Sequence, residues 1–395
     1  MSRMRPPLDL QKLISKSIIE EALESNPDSV RKVKTHMGNT AHVLAAENVL
    51  YLPELGLQII DDRAVPTEGI VDPWNLGHLQ RRFERRDQGA GEEAAPFSSY
   101  FSTKYVAEGA CILSNMFSVN FSHFTEELLK VLILERAEFS GPYVYTSLPK
   151  FAFEYWDALG LDRRRLMQVS LEPAVFRSAL YTTNLNFVDL SKCPDIFFEL
   201  RDRMFATATG ISSPFGKRLW LDRGSNVHDR ERGLVNSEEV DSFLDGYGFT
   251  RLDIGGLPLL QQIAAARDAD VIAGPHGSAF LHCMYMKPES TVIEIFSPNY
   301  LNGYSFEICR VLRHRYVMIV GDNAPHWPYR YGKAVHVPYS QLRLALELLS
   351  PPQRVTGRAA NLSSTFWIHV VRAIHVIAQK ISSFVINMHR RNYRR

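Results

Sequence analysis

The sequence predicts an α/β protein built from two Rossmann-like units, and three observations predict it. Strand-like apolar runs alternate with helical patterns along most of the chain. The stretch Thr207 to Gly216, Thr-Ala-Thr-Gly-Ile-Ser-Ser-Pro-Phe-Gly, has the composition of a linker and divides that alternation into two blocks. Within the second block, the run Val271-Ile-Ala-Gly-Pro-His-Gly-Ser-Ala-Phe280 reads as a buried strand that breaks at glycine and restarts as a helix. A chain of 395 residues with 45% apolar content is long enough for two or three domains and can fill more than one core.

Taken in order, residues 1–30 read as a helical leader. Residues 31–206 form an N-terminal domain, 207–216 the linker, 217–349 a C-terminal domain, and 350–395 a hinge and basic tail. Strand-like runs at Asn48 to Tyr51 and Leu57 to Ile60 begin the first α/β unit, and the charged stretch Arg81 to Ala95 is a surface loop. Gly109 to Ser114, Tyr143 to Thr146 and Arg165 to Ser170 read as strands, separated by helices over Phe121 to Glu138 and Lys150 to Gly160. That alternation predicts a parallel sheet. The second unit opens with a strand from Arg218 to Asp222. A helix starts at Asn236-Ser-Glu-Glu239 and ends at Gly248-Phe249; a second runs from Leu257 to Asp270, ahead of strands at Ala269 to Ala273 and Thr291 to Phe296.

The strand–Gly–helix turn carries the chemistry. The first N–H groups of a helix lack intrahelical acceptors and lie at the positive end of its dipole, which makes the turn a candidate anion site. Gly277 permits close approach, His276 adds a donor that can become cationic, and Ser278 opens the helix. On ten residues alone, an ordinary strand-to-helix turn is the plainer reading. Glu294, near the end of the next strand and about twenty residues on, stands where open α/β sheets hold a ribose, and together they suggest a nucleotide diphosphate site. Arg223, at the end of another strand, can reach phosphate oxygens bidentately, and Arg230 and Arg232 follow in a loop that also carries Asp229 and Glu231. Asn236 is either a further contact or simply a helix N-cap.

The order Arg … Arg … Asn-x-Glu-Glu … Gly-Phe … Leu-x-x-x-Gln-Gln … Ala-Asp-x-Ile-x-Gly-x-His-Gly … Glu-x-Phe-x-Pro resembles the C-terminal half of glycosyltransferase family 61, the capsular polysaccharide biosynthesis type. Asn120-Phe-Ser-His-Phe-Thr-Glu-Glu127 looks like that family's Asn-aromatic-x-His-Trp-x-x-Glu/Asp motif, and the resemblance spans roughly residues 105 to 320. Four positions depart from it: His282 stands where Asn is usual, Gln261 where Glu is common, Phe124 for Trp, and Ser278 for Ala. The resemblance implies a GT-B architecture, an inverting transfer from a nucleotide-sugar donor to a surface glycan or lipid-linked saccharide, and no cofactor beyond the donor. His123 and Glu127, four apart on a predicted helix, share a face and are expected to hydrogen bond. Spacing alone fits a helix packed on the sheet with Glu127 solvated; the resemblance adds a general-base role for one of the pair. Two competitors share the phosphate crevice: a nucleotide-sugar-modifying enzyme of the non-hydrolysing epimerase kind, and a non-catalytic nucleotide- or glycan-binding protein.

The remaining features bound partners and place. Formal charge is +2, but no acidic residue follows Glu347 while eight Lys or Arg do, which leaves 37 basic against 43 acidic residues in 1–347. A basic tail on a mildly acidic body points to an anionic partner at one end. Trp367, Val370, Val371, Ile374, Ile377, Ile381, Phe384, Val385 and Met388 recur every three or four residues, so 363–395 predicts a basic amphipathic helix suited to an anionic membrane surface or to packing on the protein. No stretch has the ~18 to 20 uninterrupted apolar residues of a membrane span. Cys111, Cys193, Cys283 and Cys309 have no disulfide-framework or metal spacing, and the amino-terminal residues lack a signal-peptide pattern. The expectation is a cytoplasmic enzyme, peripheral on the inner face of the membrane, with no nucleic-acid partner. Asp268-Ala-Asp270 superficially spells a metal-holding D-x-D but sits at a helix end, where capping is the simpler role, so no metal site is expected.

Overall fold

The computed structural model describes residues 18–35, 38–53, 57–60, 63–66, 105–113, 120–183, 185, 187, 190, 194–222, 234, 236–298, 301–323 and 335–347. Within the C-terminal half, five strands form one parallel sheet: β9 (Arg218–Leu221), β10 (Thr250–Leu252), β11 (Val271–Pro275), β12 (Thr291–Phe296) and β13 (Arg315–Val320), in the order β10-β9-β11-β12-β13. Consecutive residues face opposite cores. Leu219, Leu221, Ile272 and Val292 join one apolar cluster, and Trp220, Val271, Ala273, Ile293 and Ile295 join another. A sheet buried on both faces needs apolar residues at every position, which is why VIAGP and TVIEIF read as continuous runs.

Helices cover both faces. Leu259 and Ile263 of α6 (Leu259–Asp268) enter the first cluster, with the 3-10 helix Ser278–Tyr285; Val240 and Leu244 of α5 (Ser237–Asp245) enter the second, with Leu342 and Ala345 of α8 (Tyr339–Glu347). α5 stops because Gly248 takes φ +69°, letting the Phe249 N–H turn back to Leu244 O. Chain order reverses across this sheet. β10 lies on one side of β9 and β11 on the other, so the crossovers on either side of the β9/β11 boundary run in opposite directions. A crevice opens outside the carboxyl ends of the strands at such a switch point.

The N-terminal half is mixed, which corrects part of the sequence expectation. β5 (Cys111–Ile112), β6 (Tyr143–Tyr145) and β7 (Leu166–Gln168) are parallel, as the alternation predicts, and are connected through α2 (Phe121–Arg136) and α3 (Lys150–Ala158). The runs around residues 48–51 and 57–60 instead belong to an antiparallel sheet of β1 (Val30–Lys34), β2 (Thr40–Leu52), β3 (Leu57–Ile60) and β4 (Arg63–Pro66). Only four residues join β2 to β3, too few for the crossover a parallel pair needs. β8 (Ala174–Thr182), which the sequence reading missed, pairs antiparallel with β2 and bridges parallel to Ala107 and Ala110, stitching the two sheets together. Of the expected leader, α1 (Ile18–Ser25) is described.

A single apolar cluster continues from one half into the other, from Leu128 and Tyr155 to Leu281 and Tyr285. At its centre the buried hydroxyls of Tyr155 and Tyr285 are 2.8 Å apart. Arg201, on α4 (Pro194–Thr207), donates to the carbonyls of Met284 and Met286 and so satisfies the end of the 3-10 helix. The 207–216 stretch is fastened as well: the Arg267 guanidinium donates to Ala208 O at 3.1 Å and Ile211 O at 2.5 Å. Residues 350–395, with the expected amphipathic helix, lie outside the described residues. Among the described residues, no helix is long and apolar enough to cross a membrane.

Candidate active site

β11 ends at the switch point, and the turn Pro275-His276-Gly277-Ser278 leads straight off its carboxyl end. Gly274 is what lets β11 lie so close to β9. Its φ is +153°, and a Cβ there would stand 2.6 Å from Leu221 O. Gly277 has extended backbone (φ 175°), so its value is the missing side chain rather than a special conformation. The helix that follows is 3-10 rather than α over its eight residues, with the Phe280 N–H donating to Gly277 O at 2.9 Å. Its first N–H groups, at Ser278 and Ala279, still have no intrahelical acceptor. The strand, the glycine turn and a following helix thus stand in the order the sequence predicts.

The structure ties His276 to Glu294. The His276 N–H donates to Ile295 O at 2.7 Å, its ring stacks on Phe296 at 4.4 Å, and Nδ1 lies 2.6 Å from Glu294 Oε1. Because a carboxylate can only accept, Nδ1 carries the proton. Glu294 itself is 0% exposed, and its carboxylate also accepts from Ser305 Oγ at 3.3 Å and from the Tyr316 hydroxyl at 2.6 Å. These partners differ from the ribose hydroxyls the sequence suggests. Reaching Glu294 would require a ribose to displace these buried protein donors.

Ser305 and Tyr316 were not singled out from the sequence. The parallel register pairs Glu294 with Met318, which puts Tyr316, two residues earlier, on the same face of β13. That parity was the available signal, but it becomes readable only once the register is known.

The other candidates distribute unevenly. Asn236 is buried and spends its amide on the backbone of Val337, donating to its carbonyl at 3.1 Å and accepting from its N–H at 3.0 Å. It makes no side-chain cap bond, so its observed role is to join α5 to the chain after β15 (Val335–His336). Arg223, Arg230 and Arg232 lie outside the described residues. Asp268 accepts from the Ser213 N–H at 3.1 Å and from Arg267, in keeping with an end-of-helix role; among the described residues no group of His, Cys, Asp and Glu is arranged to hold a metal ion.

On α2 the expected His123–Glu127 hydrogen bond is replaced by a different pairing. His123 Nδ1 lies 3.5 Å from Glu126 Oε2, and Glu126 Oε1 accepts the Phe187 N–H at 2.8 Å. Glu127 points inward, 3% exposed, with Lys130 Nζ 3.0 and 2.8 Å from its two oxygens. The helix explains the difference. Positions 124, 127, 128 and 131 form its buried stripe, whereas 123 and 126 lie at its partly exposed edge. Glu126 is therefore the carboxylate the spacing argument overlooked, because i,i+3 and i,i+4 neighbours are equally close on a helix.

One ring contact brings this helix against the C-terminal half. Phe121, its first residue, stacks on His282 with ring centroids 4.5 Å apart and planes 11° from parallel. His282 Nδ1 is 2.8 Å from Ala279 O, and the Gln262 amide is 2.7 Å from Nε2. Burial pushes the His282 pKa down to about 4. The departure from Asn at this position thus produces a packing residue between α6 and α2. The start of α2, with Asn120 and His123, is held against the helix that leaves the His276 turn.

Residues 121–293 match the family model described as Glycosyltransferase 61. This segment is similar to glycosyltransferase family 61 domains. Its limits enclose both halves of the geometry above, from Phe121 at the start of α2 to Ile293 in β12. No curated protein matches the chain. The match to family 61 suggests a glycosyltransferase, an activity that implies a nucleotide-sugar donor and a saccharide acceptor. In family 61 terms, the His276 turn lies inside the matched domain, while Glu294, Ser305 and Tyr316 fall just beyond it.

Proposed function

We propose that the chain is an inverting GT-B glycosyltransferase whose nucleotide diphosphate binds at the His276–Gly277–Ser278 turn. One observation carries the reading: that turn leaves β11 at the β9/β11 switch point, with His276 already oriented by a buried carboxylate. A diphosphate there meets the N–H groups of the turn and, with the ring as imidazolium, the Nε2–H of His276, with Arg223 and Arg230 as counter-charges from the segment after β9. Charge developing on the departing diphosphate is what such preorganised donors stabilise.

On the acceptor side, His123 is the general base. Glu126 beside Nδ1 favours the tautomer whose lone pair is on Nε2. The acceptor oxygen attacks the anomeric carbon as its proton passes to His123. The bond between that carbon and the diphosphate oxygen breaks, and its electron pair leaves with the nucleotide. Glu127, paired with Lys130, supports the helix from below. The reaction needs no metal in this scheme, because the turn and the arginines carry the leaving-group charge. The acceptor is a surface glycan or lipid-linked saccharide, and residues 363–395 hold the enzyme on the inner, anionic face of the membrane where such an acceptor sits.

The deciding experiment incubates the full chain with a panel of nucleotide-sugars and saccharide acceptors in EDTA and follows product mass. The reading requires an acceptor heavier by one glycosyl residue of inverted configuration. An altered nucleotide-sugar with no transfer product would favour the sugar-modifying alternative instead. For the tail, full-length protein should co-sediment with anionic vesicles at low salt and be released at high salt, as screened surface attraction demands. A failure to co-sediment means the tail packs on the protein.

A further inference from the structure

Glu294 is a buried anion with three protein donors, and only His276 among them has a place in the proposed chemistry. The other two come from elements that follow the matched domain. Ser305, 1% exposed, stands at the start of α7 (Tyr304–Leu312), and Tyr316 stands near the start of β13. We propose that Tyr316, with Ser305 as a weaker second donor, is a positioning residue that clamps Glu294 and through it fixes the orientation and protonation of His276 in the nucleotide site.

The geometry gives each donor a separate job. The Tyr316 hydroxyl lies 2.6 Å from Oε2, and His276 Nδ1 lies 2.6 Å from Oε1, so the carboxylate is held at both ends and cannot rotate away from the imidazole. Ser305 shares Oε1 with His276 at the longer distance of 3.3 Å. Burial, and then the neighbouring Glu294 carboxylate, keep the Tyr316 hydroxyl protonated far above neutral pH, so it acts only as a donor. A buried carboxylate is costly unless its lone pairs are satisfied, and each donor it gains also withdraws charge from the others. Removing the Tyr316 hydroxyl therefore concentrates the anion on His276. The imidazolium is then held to higher pH, while the carboxylate, anchored at one end only, positions the ring less well.

The surroundings offer few rivals for this role. Facing the pair are Tyr304 and Cys309 of α7, Cys283 of the 3-10 helix and Phe296 of β12. The Cys309 thiol is pushed up by burial and stays neutral. A purely packing role for Tyr316 predicts that loss of its hydroxyl lowers stability without changing how the site responds to pH.

The test, which rests on the nucleotide reading above, measures UDP and GDP affinity by calorimetry across pH 5 to about 9 for the full chain, Tyr316→Phe and Ser305→Ala, a window that spans ordinary imidazole titration. Tyr316→Phe should bind on the order of fivefold more weakly at its best pH, one indirect hydrogen bond's worth. The alkaline limb of its profile should also move to higher pH, with a smaller displacement in the same direction for Ser305→Ala. Weaker binding with an undisplaced profile in both variants would overturn the proposal. The His276 ring signal of histidine-labelled, nucleotide-free protein, assigned with His276→Gln, should titrate at higher pH in both variants. An unmoved signal overturns the clamp even if Tyr316→Phe folds poorly, since Ser305→Ala removes only one hydroxyl. If the wild-type chain binds neither nucleotide, the site assignment itself fails, an outcome distinct from His276-dependent binding that ignores Tyr316.

Discussion

Two histidine–carboxylate pairs stand in the two halves of this molecule, and they are built differently. His276 and Glu294 are 2.6 Å apart at 9% and 0% side-chain exposure, one just past the end of β11 and the other within the neighbouring β12, with Tyr316 and Ser305 closing the carboxylate. His123 and Glu126 are 3.5 Å apart at 35% and 21% exposure, one turn apart on a single helix. The first geometry is fixed by the fold before any ligand arrives. The second is held loosely, in contact with solvent, where Coulomb attraction is screened and side chains can adjust. A fixed, buried donor suits a charge that is always the same, such as a diphosphate. A half-exposed base suits an acceptor that must enter, lose a proton and leave.

That contrast can be broken by mutation, and the largest effect is expected on the looser pair. His123→Ala should lower turnover by about 10²–10⁴-fold, as loss of a general base does, while nucleotide affinity measured by calorimetry stays at the wild-type value. Weaker nucleotide binding in that variant would place His123 in the donor site and erase the distinction. The next effect sharpens the buried pair. Glu294→Gln puts an amide NH2 among three donors, and urea unfolding should show a loss of about 1–3 kcal/mol, the cost of leaving buried polar groups unpaired. Unchanged stability would mean that the carboxylate is not needed there.

A smaller effect separates the two glutamates of α2. Glu126→Gln should reduce turnover by roughly tenfold through the orientation of His123, with little change in melting temperature. Glu127→Gln should do the reverse, losing about 1 kcal/mol of stability with Lys130 left beside a neutral amide. Equal effects of the two on turnover would restore the i,i+4 assignment.

The smallest is a pH effect outside either pair. Burial lowers the pKa of His314 and of His282 to about 4. Both rings are therefore neutral in the folded chain, and both take up protons from about pH 6.5 downward once it unfolds. Stability is full above that pH and falls as the pH drops toward 4, by up to about 1.4 kcal/mol per ring for each unit of pH. Melting temperature should decline over that window, and His314→Asn should flatten the decline. A melting temperature constant from pH 7 to 4.5 would contradict it.

The parallel sheet was the most legible part of the chain, because strands buried on both faces leave continuous apolar runs such as those around Val271 and Thr291. The turn at His276 was legible for the same reason: a glycine that closes such a run marks where the backbone changes direction. The antiparallel sheet was not. β2 is partly exposed and β3 buried throughout, yet the direction of the pair is set by a four-residue connection that periodicity does not weigh. Nor was the partner of each histidine. Glu294 was found by its spacing from the turn, but its contacts depend on the β12/β13 register. On α2, i,i+3 and i,i+4 acids could not be ranked until the packing stripe at Phe124, Glu127 and Leu128 was known.

Calorimetric titration of UDP and GDP into wild-type and His276→Ala protein tests the central claim most directly. A diphosphate held by the β11 turn should lose about 1.5–3 kcal/mol of binding free energy without the imidazole, roughly a tenfold to hundredfold weaker affinity, while the enthalpy of folding stays close to wild type. The same affinity in both proteins would show that the nucleotide binds elsewhere.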